Sequence, residues 1–347
     1  MSEETIHEVR RKRKRRGRVV IGVVLGSLVL LVAGALVASL MYLNSLSSSY
    51  EDNVQTFSDG ETFPDESERP EKREDDDSIN ILLIGSDEHG GSGETEDLPQ
   101  VPQGGRSDTM MLVHIPDDRD SVQVMSIPRD LWVEVPGGHG WHKVNAPLAL
   151  GGLSLTVQTL ESLFDTRIDH VSSVDMLGFI GLVDALDGVT VNSGYSESFT
   201  TAEGYTFQPG PQDMDSQAAL SFVRHRSTFP DGDLQRVRNQ QAFIRAVVQE
   251  SLTPSNLSSP GRVQDMVETF APHLVVDESL DSSTAASLGW QMRGAARDMQ
   301  LFTLPTGDSG RSPDGQWIWN QDPEAIAEIS EALDDGTLQE YVDERGL

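Results

Sequence analysis

Hydrophobic and polar positions change character twice along the chain. Residues 19–43 form an apolar run of 25 positions without a charged side chain. Residues 44–77 are polar and acidic, ending in Glu74-Asp75-Asp76-Asp77. From about residue 78 onward, short apolar runs alternate with stretches of helical spacing. The runs 79–84, 110–115 and 122–127 predict strands. They are closed by Gly85-Ser86-Asp87, by the turn Asp117-Asp118-Arg119-Asp120 and by Pro128. Further strands are predicted at 168–174 and 300–304. Apolar residues three and four apart, as at Leu153, Val157, Leu160 and Phe164, predict a helix over 153–164. The same spacing predicts helices over 176–186 (closed by Gly188), 213–223, 233–252, 261–270, 281–297 and 322–333. Strands alternating with helices imply a layered α/β domain.

The first apolar run has a physical meaning of its own. As a helix, residues 19–43 would be about 37 Å long, enough to cross a hydrocarbon core of about 30 Å with some tilt. The apolar core of a cleaved signal peptide is shorter, about 7–15 residues, so the run reads as a retained anchor. Eight of the nine residues 10–18 are basic, which places residues 1–18 in the cytoplasm and the rest outside the cell membrane. Such a tail can also hold anionic membrane lipid. Residues 44–77 read as a disordered, self-repelling tether. The expected organisation is thus tail 1–18, span 19–43, linker 44–77, folded extracytoplasmic domain 78–335 and a short acidic tail 336–347.

The whole chain has a formal net charge of -30 and no cysteine. Without residues 1–18, 18 basic side chains face 53 acidic ones. Nucleic acid is therefore an unfavourable partner. Thiol catalysis and cysteine-ligated metal are excluded. No P-loop and no Gly-x-Ser-x-Gly elbow occurs.

Against this acidic background the arginines are concentrated. Arg224-His225-Arg226 is followed by Arg236, Arg238 and Gln240. Guanidinium is always charged and presents a planar fork of donors suited to phosphate oxygens. Three strand ends also carry charged residues: Asp87, then Arg106-Ser107-Asp108, then Arg129-Asp130. Sites in α/β proteins are built at such strand ends. Asp87 and Asp108 would repel a phosphate unless a cation bridged them, and Mg2+ binds carboxylates together with substrate phosphates. Each feature has a plainer reading as well: a turn residue at Asp87, a local ion pair at Arg106 and Asp108, a solvated helix face at Arg236 and Gln240. His225 and His114 read as structural, and His139 and His142 lack metal-ligand spacing.

Taken in order, the motifs resemble the LytR-CpsA-Psr family. They are Ile-Leu-Leu-Ile-Gly-Ser-Asp (81–87), Arg-Ser-Asp-Thr-Met-Met-Leu (106–112), Ser-Ile-Pro-Arg-Asp (126–130) and Lys-Val-Asn-Ala (143–146) with Gly151-Gly152. Val-Asp-Met-Leu-Gly-Phe (174–179), Asp187-Gly188-Val189, Ser221 to Arg226 and Asp233 to Gln241 complete them. The resemblance covers about residues 79–250. It implies an α/β/α sandwich with a central mixed sheet and an apolar groove for a polyprenyl lipid. The apolar segments 153–186 could line that groove, and core packing calls on the same residues. It implies transfer of a glycopolymer from a polyprenyl-pyrophosphate carrier to peptidoglycan, with a phosphodiester bond formed. By motif, Asp87 and Asp108 match magnesium-associated aspartates. Arg106, Arg129, Arg224, Arg226, Arg236 and Gln240 match pyrophosphate-binding residues, and Arg238 matches less well. The catalytic set so implied is Asp87, Asp108 and Arg129.

Two departures stand out. His89 occupies a position where many members carry arginine, and the acidic, Gly-rich loop 88–105 is long. Three activities remain open: a transferase, a lipid-pyrophosphate phosphatase in which water replaces the sugar hydroxyl, and a non-catalytic regulator that binds envelope lipids. The polymer also stays open among teichoic acid, capsule, teichuronic acid and arabinogalactan.

Overall fold

The computed structural model describes residues 41–57, 62–86, 109–225, 232–292 and 294–347. The chain divides into two units, Met1–Ser49 and Tyr50–Leu347. In chain order the elements are α1 (41–53), β1 (Gln55–Thr56), β2 (Ile79–Ser86), β3 (Thr109–Ile115), β4 (Val122–Ile127), β5 (Trp132–Val135), β6 (Gly140–Lys143), α2 (Pro147–Phe164), β7 (His170–Asp175) and α3 (Met176–Ala185). Then follow β8 (Val189–Asn192), β9 (Phe199–Thr200), β10 (Thr206–Phe207), β11 (Pro211–Met214), α4 (Ser216–Arg224), α5 (Gly232–Ser251), α6 (Pro254–Leu257) and α7 (Pro260–Phe270). The chain closes with β12 (Leu274–Val276), α8 (Ser282–Gln291), β13 (Met299–Thr303), β14 (Thr306–Arg311), β15 (Trp317–Gln321), α9 (Pro323–Asp334) and α10 (Leu338–Arg345).

Seven strands make a mixed sheet in the order β1-β12-β7-β2-β3-β4-β13. Strands β2, β3 and β4 are apolar on both sides because both faces are covered. Leu82, Ile84, Met110, Leu112, Met125 and Ile127 point to one face, where α2, α9 and α10 pack. Their neighbours Met111, Val113, Ile115, Val122 and Val124 point to the other face, with Leu288 of α8. The period-2 alternation of the strand backbone makes this division. A separate apolar layer joins α3, α4, α5 and α7 around Phe179, Val183, Phe222, Phe243 and Val247.

Two motif glycines have identifiable reasons. At Gly151-Gly152 the helix α2 kinks, and Gly152 has φ 73°, a conformation that favours glycine. At Gly178 in α3, a Cβ would lie 2.6 Å from the Cβ of His273, so α3 and the turn that follows α7 can approach this closely only without a side chain there.

Several expectations change. The predicted span 19–43 lies outside the described residues except for its last three. Among the described residues, no helix is long and apolar enough to cross a membrane. The acidic segment 44–77 is not a bare tether where it is described. It contributes α1 and the edge strand β1, and it buries Phe57 at 7% exposure. Arg69 lies over the Phe63 ring at 4.7 Å and reaches Glu161 of α2 with an Nη2–Oε1 distance of 2.6 Å. A few apolar and basic residues among many carboxylates suffice to dock it. The expected tail 336–347 contains α10, whose Leu338 and Val342 enter the core. The helix expected over 213–223 begins at Ser216, because Asp213 belongs to β11 and Asp215 is the cap that accepts from Ala218 N. The hairpins β5–β6 and β14–β15 carry no long apolar run and are visible only in the fold.

Candidate functional site

One edge of the sheet collects the motif-bearing strand ends. Gly85 pairs with Thr109, Met110 with Ile127, Ser126 with Thr303 and Ser86 with Asp175. The carboxyl ends of β2, β4, β7 and β13 and the amino end of β3 therefore lie together. Arg129 and Asp130 leave that edge through Pro128. Asp87, Arg106, Asp108 and Arg226 lie outside the described residues, as do His89 and the loop 88–105.

Helix α5 is fastened to this edge by its own side chains. Gln241 Nε2 donates to Ser126 Oγ at 2.7 Å and to Thr303 Oγ1 at 3.3 Å. Asn239, 1% exposed, donates from Nδ2 to the carbonyl of Phe222 at 3.0 Å. Its Oδ1 accepts from the Tyr195 hydroxyl at 2.5 Å and from Gln235 Nε2 at 3.2 Å. The stretch from Arg236 to Gln241 thus ties the end of β4, three residues before Arg129, to the end of α4, two residues before Arg224. Arg236 and Gln240 are buried there, at 6% and 4% exposure. A guanidinium so far out of water is retained only among anionic or polar atoms. Arg224 is exposed at the carboxyl end of α4, where the helix dipole favours a cation. Arg238 is also exposed and contacts Gln235 Oε1 at 3.4 Å.

Arg129 is half-buried and has its Nε 3.6 Å from Asp130 Oδ2. Asp130 is held on its other oxygen by Lys143 Nζ at 2.6 Å. His225 is buried and stacks on Phe199 with ring centroids 4.7 Å apart. Burial holds its imidazole below the ordinary histidine range, against the opposing pull of Glu203. Its stacked, buried ring fixes the end of α4 next to Arg224. Among the described residues, no group of three or more histidine or acidic side chains forms a metal centre.

A cleft of about 680 Å³ opens beside Arg129, between the β5–β6 and β14–β15 hairpins. Of the segments 153–186, helix α2 packs into the core through Leu153, Val157, Leu160 and Phe164. The positioning residues Asn239 and Gln241, and the cleft, were not singled out by sequence reasoning. The only available signal was that Asn239 and Gln241 fall inside a recognised motif and are spaced around the helix from Arg236.

Comparison with known proteins bears on the family and the fold. Residues 40–335 match the LytR_cpsA_psr family. The polyisoprenyl-teichoic acid–peptidoglycan teichoic acid transferase TagU of Oceanobacillus iheyensis is 33% identical over 270 residues, 76% of this chain and 77% of that protein. The probable cell wall biosynthesis protein LcpB of Corynebacterium glutamicum is 36% identical over 220 residues, 62% of this chain and 52% of that protein. The crystal structure of B. subtilis TagV superposes with a TM-score of 0.59 at 21% identity, covering 75% of this chain and 97% of that one. At that identity the likeness concerns the fold.

Proposed function

Since the chain belongs to the LytR-CpsA-Psr family, we propose that it is a transferase of cell-wall assembly, anchored in the cell membrane by residues 19–43. It moves a glycopolymer from a polyprenyl-pyrophosphate carrier to peptidoglycan. The observation that carries the site assignment is the pair of clamps from Asn239 and Gln241. They hold the elements bearing Arg129, Arg224, Arg236 and Gln240 around one sheet edge.

In the reaction, an acceptor sugar hydroxyl attacks the phosphorus nearer the glycopolymer. A new P–O bond forms as the bond to the bridging oxygen breaks. Polyprenyl phosphate leaves, and the polymer is left on the acceptor through a phosphodiester. Phosphoryl transfer needs positioning and charge neutralisation more than covalent help. Arg129 and Arg224, with Arg106 and Arg226 by motif, neutralise the non-bridging oxygens. Buried Arg236 and Gln240 fix the orientation of the diphosphate. The hydroxyl proton passes to a carboxylate of the pair Asp87 and Asp108. By motif, the same two carboxylates suit Mg2+ as hard oxygen donors. Bound there, the ion would offset charge on the phosphate oxygens.

The test uses the full chain in detergent with a short-chain polyprenyl-pyrophosphate sugar donor, peptidoglycan fragments and magnesium. Sugar phosphate should appear on peptidoglycan, and Arg129→Ala should slow its appearance by about 10²–10³. Release of free sugar phosphate alone would establish the phosphatase, and binding without turnover the regulator. An Arg129→Ala variant as fast as the parent would remove Arg129 from the mechanism.

A further inference from the structure

The chain has five tryptophans. Four of them, Trp132, Trp141, Trp317 and Trp319, lie on the two hairpins that bound the cleft. Trp141 is 50% exposed and lines the cleft with Trp132. Two indoles on one wall of a cleft offer a flat apolar surface with a polar N–H edge. The hairpins do not simply hang from the domain. Trp319 N donates to the Asp130 carbonyl at 3.0 Å, and Gln321 Nε2 donates to the Trp132 carbonyl at 3.0 Å. The facing wall carries Asp314 and Gln316, tied by Gln316 Nε2 to Asp314 Oδ2 at 2.5 Å. The aromatic wall and the polar wall are therefore held at a set separation.

The charge of the cleft identifies its ligand. With Arg129 turned to the diphosphate, Lys143 is left against Asp130 and Asp314 in the cleft. A polyanion would gain little from such a cleft, and an apolar chain would strand its carboxylates. A sugar presents a C–H face to an indole ring and a rim of hydroxyls to carboxylate and amide groups. A volume of about 680 Å³ falls within the range of about 300–1,000 Å³ typical of ligand sites.

We propose that this cleft seats uncharged sugar rings of the acceptor glycan. Trp141 and Trp132 take the apolar ring face and Asp314 and Gln316 the hydroxyls, so that a further hydroxyl is presented toward Arg129. The inference deepens the transferase reading and rests on it for the identity of the glycan as acceptor. The cleft's affinity for sugar can be tested apart from that reading.

The probe is an N-acetylglucosamine tetramer, which carries no phosphate, titrated onto the full-length protein in detergent and followed by calorimetry and tryptophan fluorescence. The tetramer should bind the parent chain, and Trp141→Ala and Gln316→Ala should each weaken it by about tenfold. Trp290→Ala, which removes a 69% exposed indole on α8, should leave binding unchanged. A short-chain lipid-pyrophosphate donor should bind the parent and Trp141→Ala equally. Failure of the parent to bind the tetramer, or equal binding by the parent and Gln316→Ala, overturns the inference. Gln316 is exposed on a turn, so that variant reads out even if Trp141→Ala does not fold. Tetramer binding that depends on Trp141 without any transfer to peptidoglycan would keep the sugar seat and overturn its role as the acceptor site. Donor binding without tetramer binding would overturn the cleft alone.

Discussion

His114 shows how much one side chain can decide. It sits in β3 at 1% exposure, and its Nδ1 lies 2.8 Å from Asn80 Oδ1. Asn80 Nδ2 donates to the carbonyl of Arg167, which turns Oδ1 toward the imidazole and assigns the proton to Nδ1. Protonating Nε2 would then place a charge in the core. Burial accordingly lowers the pKa of His114 to about 4. The unfolded chain, with an ordinary value near 6.5, binds this proton first as pH falls. Stability contributed by neutral His114 is complete above pH ~6.5 and is lost as pH falls toward ~4, by about 3 kcal/mol. Urea denaturation at stepped pH should show that slope in the parent and lose it in His114→Leu. An unchanged slope in the variant would assign the acid sensitivity to other groups. The sequence showed a histidine in an apolar strand, and hence a core residue. Its partner, 34 positions away, was not readable.

At the scale of elements, the docking of residues 62–77 is the most consequential difference from the sequence reading. Composition made this stretch a tether, yet Arg69 inserts between α2 and β7. It donates to Glu161 from Nε at 3.1 Å and from Nη2 at 2.6 Å, and from Nη2 to the Ile168 carbonyl at 2.5 Å. Glu161, 1% exposed, also accepts from Ile168 N at 2.9 Å. Removing one partner of such a pair leaves a buried charge uncompensated. Arg69→Met should therefore destabilise the domain by about 3–5 kcal/mol, measured as a lower urea midpoint. A loss below about 1 kcal/mol would mean the segment is attached elsewhere. The long helices and the central strands were legible because their periodicity spans many residues. The two hairpins were not, since strands of four to six residues with mixed polar and aromatic side chains lack a pattern that survives averaging. The same short elements build the sugar cleft, so that part of the site was invisible in the sequence.

For the molecule as a whole, 56 acidic residues face 26 basic ones. Net charge of this size weakens the compact state by self-repulsion. Raising ionic strength from 0.01 to 0.15 M shortens the Debye length from about 30 to about 8 Å. The thermal midpoint should rise over that interval. A fall would show that local ion pairs such as Arg69–Glu161 outweigh the global repulsion. This excess of carboxylates also explains why the arginines were conspicuous: in a basic protein the same Arg224, Arg226 and Arg236 would have carried no signal.

What the sequence by itself determined is local and ordered. The strand runs, the major helices, the family motifs and the identities of the candidate arginines and aspartates are properties of consecutive residues. Which of these meet is a property of long-range pairing. Register alone put Gly85 opposite Thr109, and only the folded chain brought Asn239 to Phe222 and Gln241 to Ser126, the latter across 115 positions. Hydrogen bonds of this kind depend on where two backbones lie in space. No pattern of spacing along one strand or helix contains that information, so the framework of the site and the aromatic cleft beside it belonged to the tertiary structure.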